Sequence, residues 1–216
     1  MDKKDFLLCL KEAPDLEQLL TEAGNDPQFL NVLFEIVRSE HSAVRYSCTK
    51  ILRMLSERQP DKIYPYFDDV ANWLQDPNSF VKWDGILTLA NLASVDAQRR
   101  FASVYEEYFG LIRDSKMVTA ANEAGNAWKI VQAVPEWESD ITRRLLEVPQ
   151  IVYLHHGEPS AECNRVTCGH VLDCFDHYFD LSKNQQAMIC FARSQLNSSR
   201  KSVAKKAARF LKKHEI

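Results

Sequence analysis

Apolar residues in this chain recur at helical spacing, and the pattern itself repeats. Leu30, Leu33, Phe34 and Val37 form an i, i+3, i+4, i+7 stripe. Phe67, Val70, Ala71 and Leu74 repeat it 37 positions later, and Tyr105, Tyr108, Phe109 and Ile112 repeat it after a further 38. Each stripe is followed by a polar turn and a second helical pattern. Ser42-Ala43-Val44-Arg45 leads into Cys48, Leu52 and Leu55, and Ser79-Phe80-Val81-Lys82 leads into Gly85, Leu89 and Leu92. A two-helix unit of this size cannot bury its apolar face alone, so the periodicity predicts hairpins stacked against one another.

The punctuation agrees. Asp26-Pro27 reads as an N-cap followed by proline at the first helical position, and Asp76-Pro77 as the cap of the helix after it. Asp114-Ser115 makes the third turn, Val134-Pro135 ends the helix over 116–133, and Pro149 interrupts the next apolar run. His155 to Pro159 reads as a loop before a helix over 160–179. Two short helices are expected near 2–12 and 15–23. The whole chain, 1–216, then reads as one repeat domain: capping helices over 1–24 and hairpins over 27–57, 61–94, 97–133, 136–179 and 182–214. In that register Cys48, Gly85, Ala124, Cys168 and Ala207 share one position, and all are small. Glycine inside a helix costs about 1 kcal/mol against alanine, so the column is expected where helices touch.

These residues resemble a HEAT-repeat protein of the wider armadillo-like class. Ile63-Tyr64-Pro65-Tyr66-Phe67 through Leu74-Gln75-Asp76 resembles the first helix of such a repeat. Asn78-Ser79-Phe80-Val81-Lys82 with Gly85 resembles the start of the second, as does His41 to Leu55. Residues 27–94 carry most of the likeness. It implies an all-α fold, a right-handed α-α superhelix of about five HEAT-like helical hairpins. It also implies a concave face lined by the second helices, on which such proteins bind partners.

Composition adds limits. With 45% apolar and 26% charged residues the chain is an ordinary folded protein, and its net charge of −3 points to no class of partner. Six cysteines without a CxxC or regular framework, a start too polar for a signal peptide and no span of about 20 apolar residues lead to the expectation of a reduced, cytoplasmic protein without a membrane segment.

Candidate chemistry lies on three faces. Arg45, Lys82 and Arg165 share a helical position, with Tyr46 and Trp83 beside the first two. They read either as a partner-binding ladder or as cations paired with nearby carboxylates. The segment Arg193–Lys213 holds no acid, and its Arg200, Lys201, Lys205, Lys206 and Arg209 form an anionic-ligand patch or a polar cap on the last repeat. His170, Cys174 and His177 fall on one helix face and are weak metal candidates. The outer two stand about 10 Å apart along the axis, too far to share an ion. No catalytic set or cofactor motif emerges: there is no Gly-rich phosphate loop and no HExxH. The only His-Glu step, His214-Glu215, argues against the iron-dependent HEAT-repeat hydroxylases. The reading is a non-enzymatic scaffold holding a protein or peptide. The alternative is a nucleic-acid binder resembling the alkylpurine DNA glycosylases, with a basic groove.

Overall fold

A computed structural model describes residues 4–6, 15–40 and 43–214. The expected helix over 2–12 falls largely outside these residues, as do Cys9 and the turn residues His41 and Ser42. The chain divides into two compact units, residues 1–102 and 103–216.

In the first unit, α1 (Leu16–Asn25), α2 (Pro27–Ser39) and α3 (Val44–Arg58) follow the expected order. Asp15 and Asp26 cap α1 and α2, each accepting from the backbone N–H two residues on. Pro60 opens a broken helix: α4 (Pro60–Ile63), a 3-10 turn over Tyr64–Tyr66, α5 (Phe67–Asn72) and a second 3-10 turn over Trp73–Gln75. Pro65 has no N–H to give to the helical ladder, which accounts for the first break. The unit's last long helix is α6 (Ser79–Leu92). Its cap is Asn78, whose Oδ1 accepts from the Phe80 N–H at 2.9 Å, and not Asp76, as the Asp-Pro step suggests. Asp76 lies two residues too early. Its Oδ1 instead accepts from the Asn78 N–H at 2.8 Å, closing the turn.

The second unit contains α7 (Tyr105–Gly110), α8 (Met117–Ala133), α9 (Glu138–Leu146), α10 (Ala161–Tyr178), α11 (Gln185–Gln195) and α12 (Lys201–His214). The connection before α10 is more ordered than a loop. Leu154–His155 (β1) and Glu158–Pro159 (β2) pair antiparallel, and Leu154 donates to the Ser115 carbonyl at 2.9 Å. His156 and Gly157 make the turn, both with positive φ, as a two-residue hairpin requires.

The five small residues of the repeating column are all buried. At Gly85 a methyl group would come within 2.9 Å of the Trp73 Cβ, so α6 packs on the broken helix through backbone. One turn further on, Leu52 and Leu89 are buried in the first unit and Leu172 and Leu211 in the second, while Trp128 of α8 at that position is half-exposed. Polar contacts join neighbouring hairpins at sequence separations of 31 to 38. Arg38–Asp69, Arg45–Asp76 and Arg53–Asp84 each join residues 31 apart, and Ser56 accepts from Asn91 35 residues away. In the second unit Tyr105 donates to Asp140 at 35 and Arg144 to Glu106 at 38.

Glu138 fastens α9 to the start of α11. It is buried and accepts from Ser182 and Thr142 hydroxyls and the Asn184 amide, at 2.5, 2.8 and 3.2 Å. Burial alone would raise its pKa, but these bonds from Ser182, Asn184 and Thr142 outweigh it and hold the carboxyl below the ordinary range.

Two outcomes are expected. Gly85→Ala raises helix propensity yet lowers stability by about 1–3 kcal/mol in urea unfolding, because the Trp73 Cβ cannot retreat without its backbone. Glu138→Ala removes the acceptor shared by Ser182, Thr142, Asn184 and Ser139 and costs about 1–3 kcal/mol. Because the folded-state pKa of Glu138 is depressed, its contribution is present above the unfolded carboxyl value and fades as pH falls through the folded one. The alanine variant therefore loses that part of the acid limb of the stability–pH curve.

Candidate functional site

The most prominent aromatic surface lies in the first unit, at the start of α3 and α6. Phe80 stands 59% exposed. Trp83, one turn along α6, is half-buried and meets it edge to face, with ring centres 5.2 Å apart at 73°. Tyr46 of α3 lies 5.8 Å away on the other side. One side chain organises the group. Asn78 caps α6 through its Oδ1 and donates from Nδ2 to the Tyr46 hydroxyl at 2.6 Å, so the same amide sets the helix start that carries Phe80 and the pose of Tyr46.

Beneath the rings the fold is polar and locked. Asp84 accepts from the Thr49 hydroxyl at 2.7 Å and from Arg53 at 3.0 Å. Burial raises its pKa in spite of those bonds. Arg45, with its side chain 16% exposed, donates to the Val37 carbonyl at 2.8 Å and pairs with Asp76. Its guanidinium thus joins neighbouring helices. Lys82 is half-buried and engaged as well. Of the expected ladder, Tyr46 and Trp83 come together and Arg45 belongs to the joint below them. Arg165, in the second unit, lies 3.4 Å from Glu162. Sequence reasoning passes over Phe80 because it falls off the apolar stripe. The available signal is an aromatic residue directly before the buried Val81, at a turn already fixed by Asn78.

The basic helix α12 faces the acids of α10. Arg200 pairs with Glu162, Lys206 and Arg209 with Asp173, and Lys213 and His214 with Asp176, the last two at 2.9 and 2.7 Å. Lys201 and Lys205 lie on its exposed side. The charge visible in sequence as an acid-free run is thus met by the acids of α10.

His170, Cys174 and His177 point to different surroundings. Cys174 is fully buried, because α10 packs between α8 and α12 and has little free face. His170 sits 3.1 Å from where a Cβ on Gly125 would lie, and burial first, then Lys206, lowers its pKa. His177 stacks on Trp128 with ring centres 4.2 Å apart and 14° between planes. Among the described residues no three His, Cys, Asp or Glu side chains converge as a metal site would need. A cleft of about 400 Å³ between Pro149, Val152, Pro159 and Asn164 has no ionisable lining, and the Asn164 amide is committed to the Val148 and Ile151 carbonyls.

Among solved structures, a designed armadillo repeat protein superposes with a TM-score of 0.54 at 14% identity, covering 91% of this chain and 90% of its own. The fold is an armadillo/HEAT-like helical repeat. An engineered protein known from a crystal structure gives a TM-score of 0.53 at 16% identity, covering 91% of this chain and 87% of its own. No family model and no curated protein matches the chain. No helix of this repeat protein, among the described residues, is long and apolar enough to cross a membrane.

Phe80→Ala is expected to leave stability within about 0.5 kcal/mol of the parent, as at other exposed positions. Truncating a core aromatic such as Phe67 costs about 3–5 kcal/mol. Thermal unfolding of the two variants separates a surface aromatic from a packing one.

Proposed function

We propose that the protein is a non-enzymatic helical-repeat module that holds a protein or peptide segment against Tyr46, Phe80 and Trp83. The observation that carries this reading is the exposed Phe80 ring, braced between two half-exposed aromatics by the single amide of Asn78. Aromatic side chains of this kind supply much of the energy of protein interfaces, since they bury large area while losing few torsions. A tyrosine and a tryptophan already held in place lose still less on binding.

The nucleic-acid alternative draws less support. Such binding depends on cations available to phosphates. Here Arg200, Lys206, Arg209 and Lys213 already have carboxylate partners on α10. Lys201 and Lys205 are what remains of that patch for an anionic ligand, and Arg165 is beside Glu162.

The test is an affinity capture from the native host with the parent and with Phe80→Ala and Trp83→Ala, each first shown to be folded by circular dichroism. Recovery of specific partners is expected to drop at least about tenfold in both variants, the loss of one interface hot spot. Equal recovery removes the cluster from the account. Duplex DNA retained by the parent at low salt and released steeply as salt rises favours the nucleic-acid reading instead.

A further inference from the structure

The core of the second unit contains an acid with nothing to bond to. Glu123 lies midway along α8, between the buried Ala120 and Ala127, and no part of it reaches solvent. Neither carboxyl oxygen has a hydrogen-bond partner among the described residues. The contrast with Glu138, which gathers hydroxyl and amide donors, is complete.

Four ionisable groups lie around it. From α7 comes Tyr108 and from α10 Cys174, both fully buried. The segment before β1 supplies Tyr153, whose hydroxyl is committed to the Ile112 carbonyl at 2.9 Å. From α9 comes Arg144, whose guanidinium is held by Asp140 and Glu106. A charge on Glu123 bears on Tyr108, Tyr153 and Cys174, and Arg144 alone acts to favour the ionised carboxylate. Burial prevails over Arg144 and pushes the carboxyl well above its ordinary range, which favours the protonated form. An ionised carboxylate without donors in such a place is sustained only by moving to water.

We propose that Glu123 is a proton-operated latch on the joint between α8 and α10: while it keeps its proton the helices stay closed over it, and loss of the proton opens the joint and lets the carboxylate reach solvent. The direction follows from linkage. The closed joint keeps the proton and the open one releases it, so the open-to-closed ratio rises with pH by about tenfold per unit between the open-state and closed-state values. This is opposite in sign to the effect of Glu138. Other titratable and charged groups along the same joint are His170, Asp173 and His177 of α10, with Lys206 across from α12. They, and the four groups around the carboxyl, are unchanged in a Glu123 variant, so the difference between proteins isolates the one proton. The joint also carries its own reporter, because the Trp128–His177 stack spans α8 and α10.

Hydrogen exchange read by mass spectrometry over 117–133 and 161–178 tests the latch, using the full chain from pH 6 to 9.5 with each rate divided by the intrinsic chemical rate at that pH. Tryptophan emission is followed in parallel, with Trp128→Phe identifying the contribution of Trp128. The expected result is a corrected opening ratio that climbs about tenfold per pH unit over part of the range in the parent. It is flat in Glu123→Gln and Glu123→Met, and Trp128 emission changes along with the parent's curve. A parent that is flat overturns the proposal, and so does a climb that persists unchanged in either variant. If the glutamine variant does not fold, the methionine variant, which leaves no polar group to satisfy, carries the comparison.

Discussion

Packing within each unit rests on small buried residues at one helical position, Cys48 and Gly85 in the first unit and Ala124, Cys168 and Ala207 in the second. Side chains there are small, and at Gly85 the nearest neighbour is already 2.9 Å from where a methyl would sit. Close approach brings the leucines one turn further on into a dry layer and brings polar side chains of successive hairpins within bonding distance. The Arg45–Asp76 and Arg53–Asp84 pairs are consequences of that spacing. With one side chain in each pair buried or nearly so, they align the hairpins more than they hold them together.

The aromatic cluster is a by-product of the same geometry. Successive second helices run side by side with their starts at one end, so a residue at the first turn of α3 and another at the first turn of α6 become neighbours although 34 positions separate Tyr46 from Phe80. Asn78 then serves two ends, one backbone and one side chain. A recognition surface arises there without departing from the rules that build the core.

The helical pattern was legible because its period shows directly in the placement of leucine, valine and phenylalanine. The small-residue column was legible because a glycine inside a helix needs a reason. Other features were not. The broken first helices depend on where Pro65 lets the ladder resume. The cap at Asn78 depends on a two-residue offset that a bare Asp-Pro step does not reveal. The hairpin before α10 is too short for alternation to register. The acid-free C-terminal run left an anionic-ligand patch and a polar cap both open because its partners Glu162, Asp173 and Asp176 lie over 30 residues away on another helix. Glu123 gave no signal, since a glutamate inside a helix is ordinary until its burial is known.

The charge pairs carry a further meaning for how such a chain can be rearranged. Between α3 and α6 the earlier helix supplies the cation and the later one the acid, as Arg53 does with Asp84. Between α10 and α12 the order is inverted: α10 brings Asp173 and Asp176, and α12 answers with Lys206 and Lys213. Backbones that share one plan are therefore not interchangeable cassettes. A hairpin moved from one half into the other would leave its charged side chains without the partners they have now, Asp84 without Arg53 and Asp173 without Lys206.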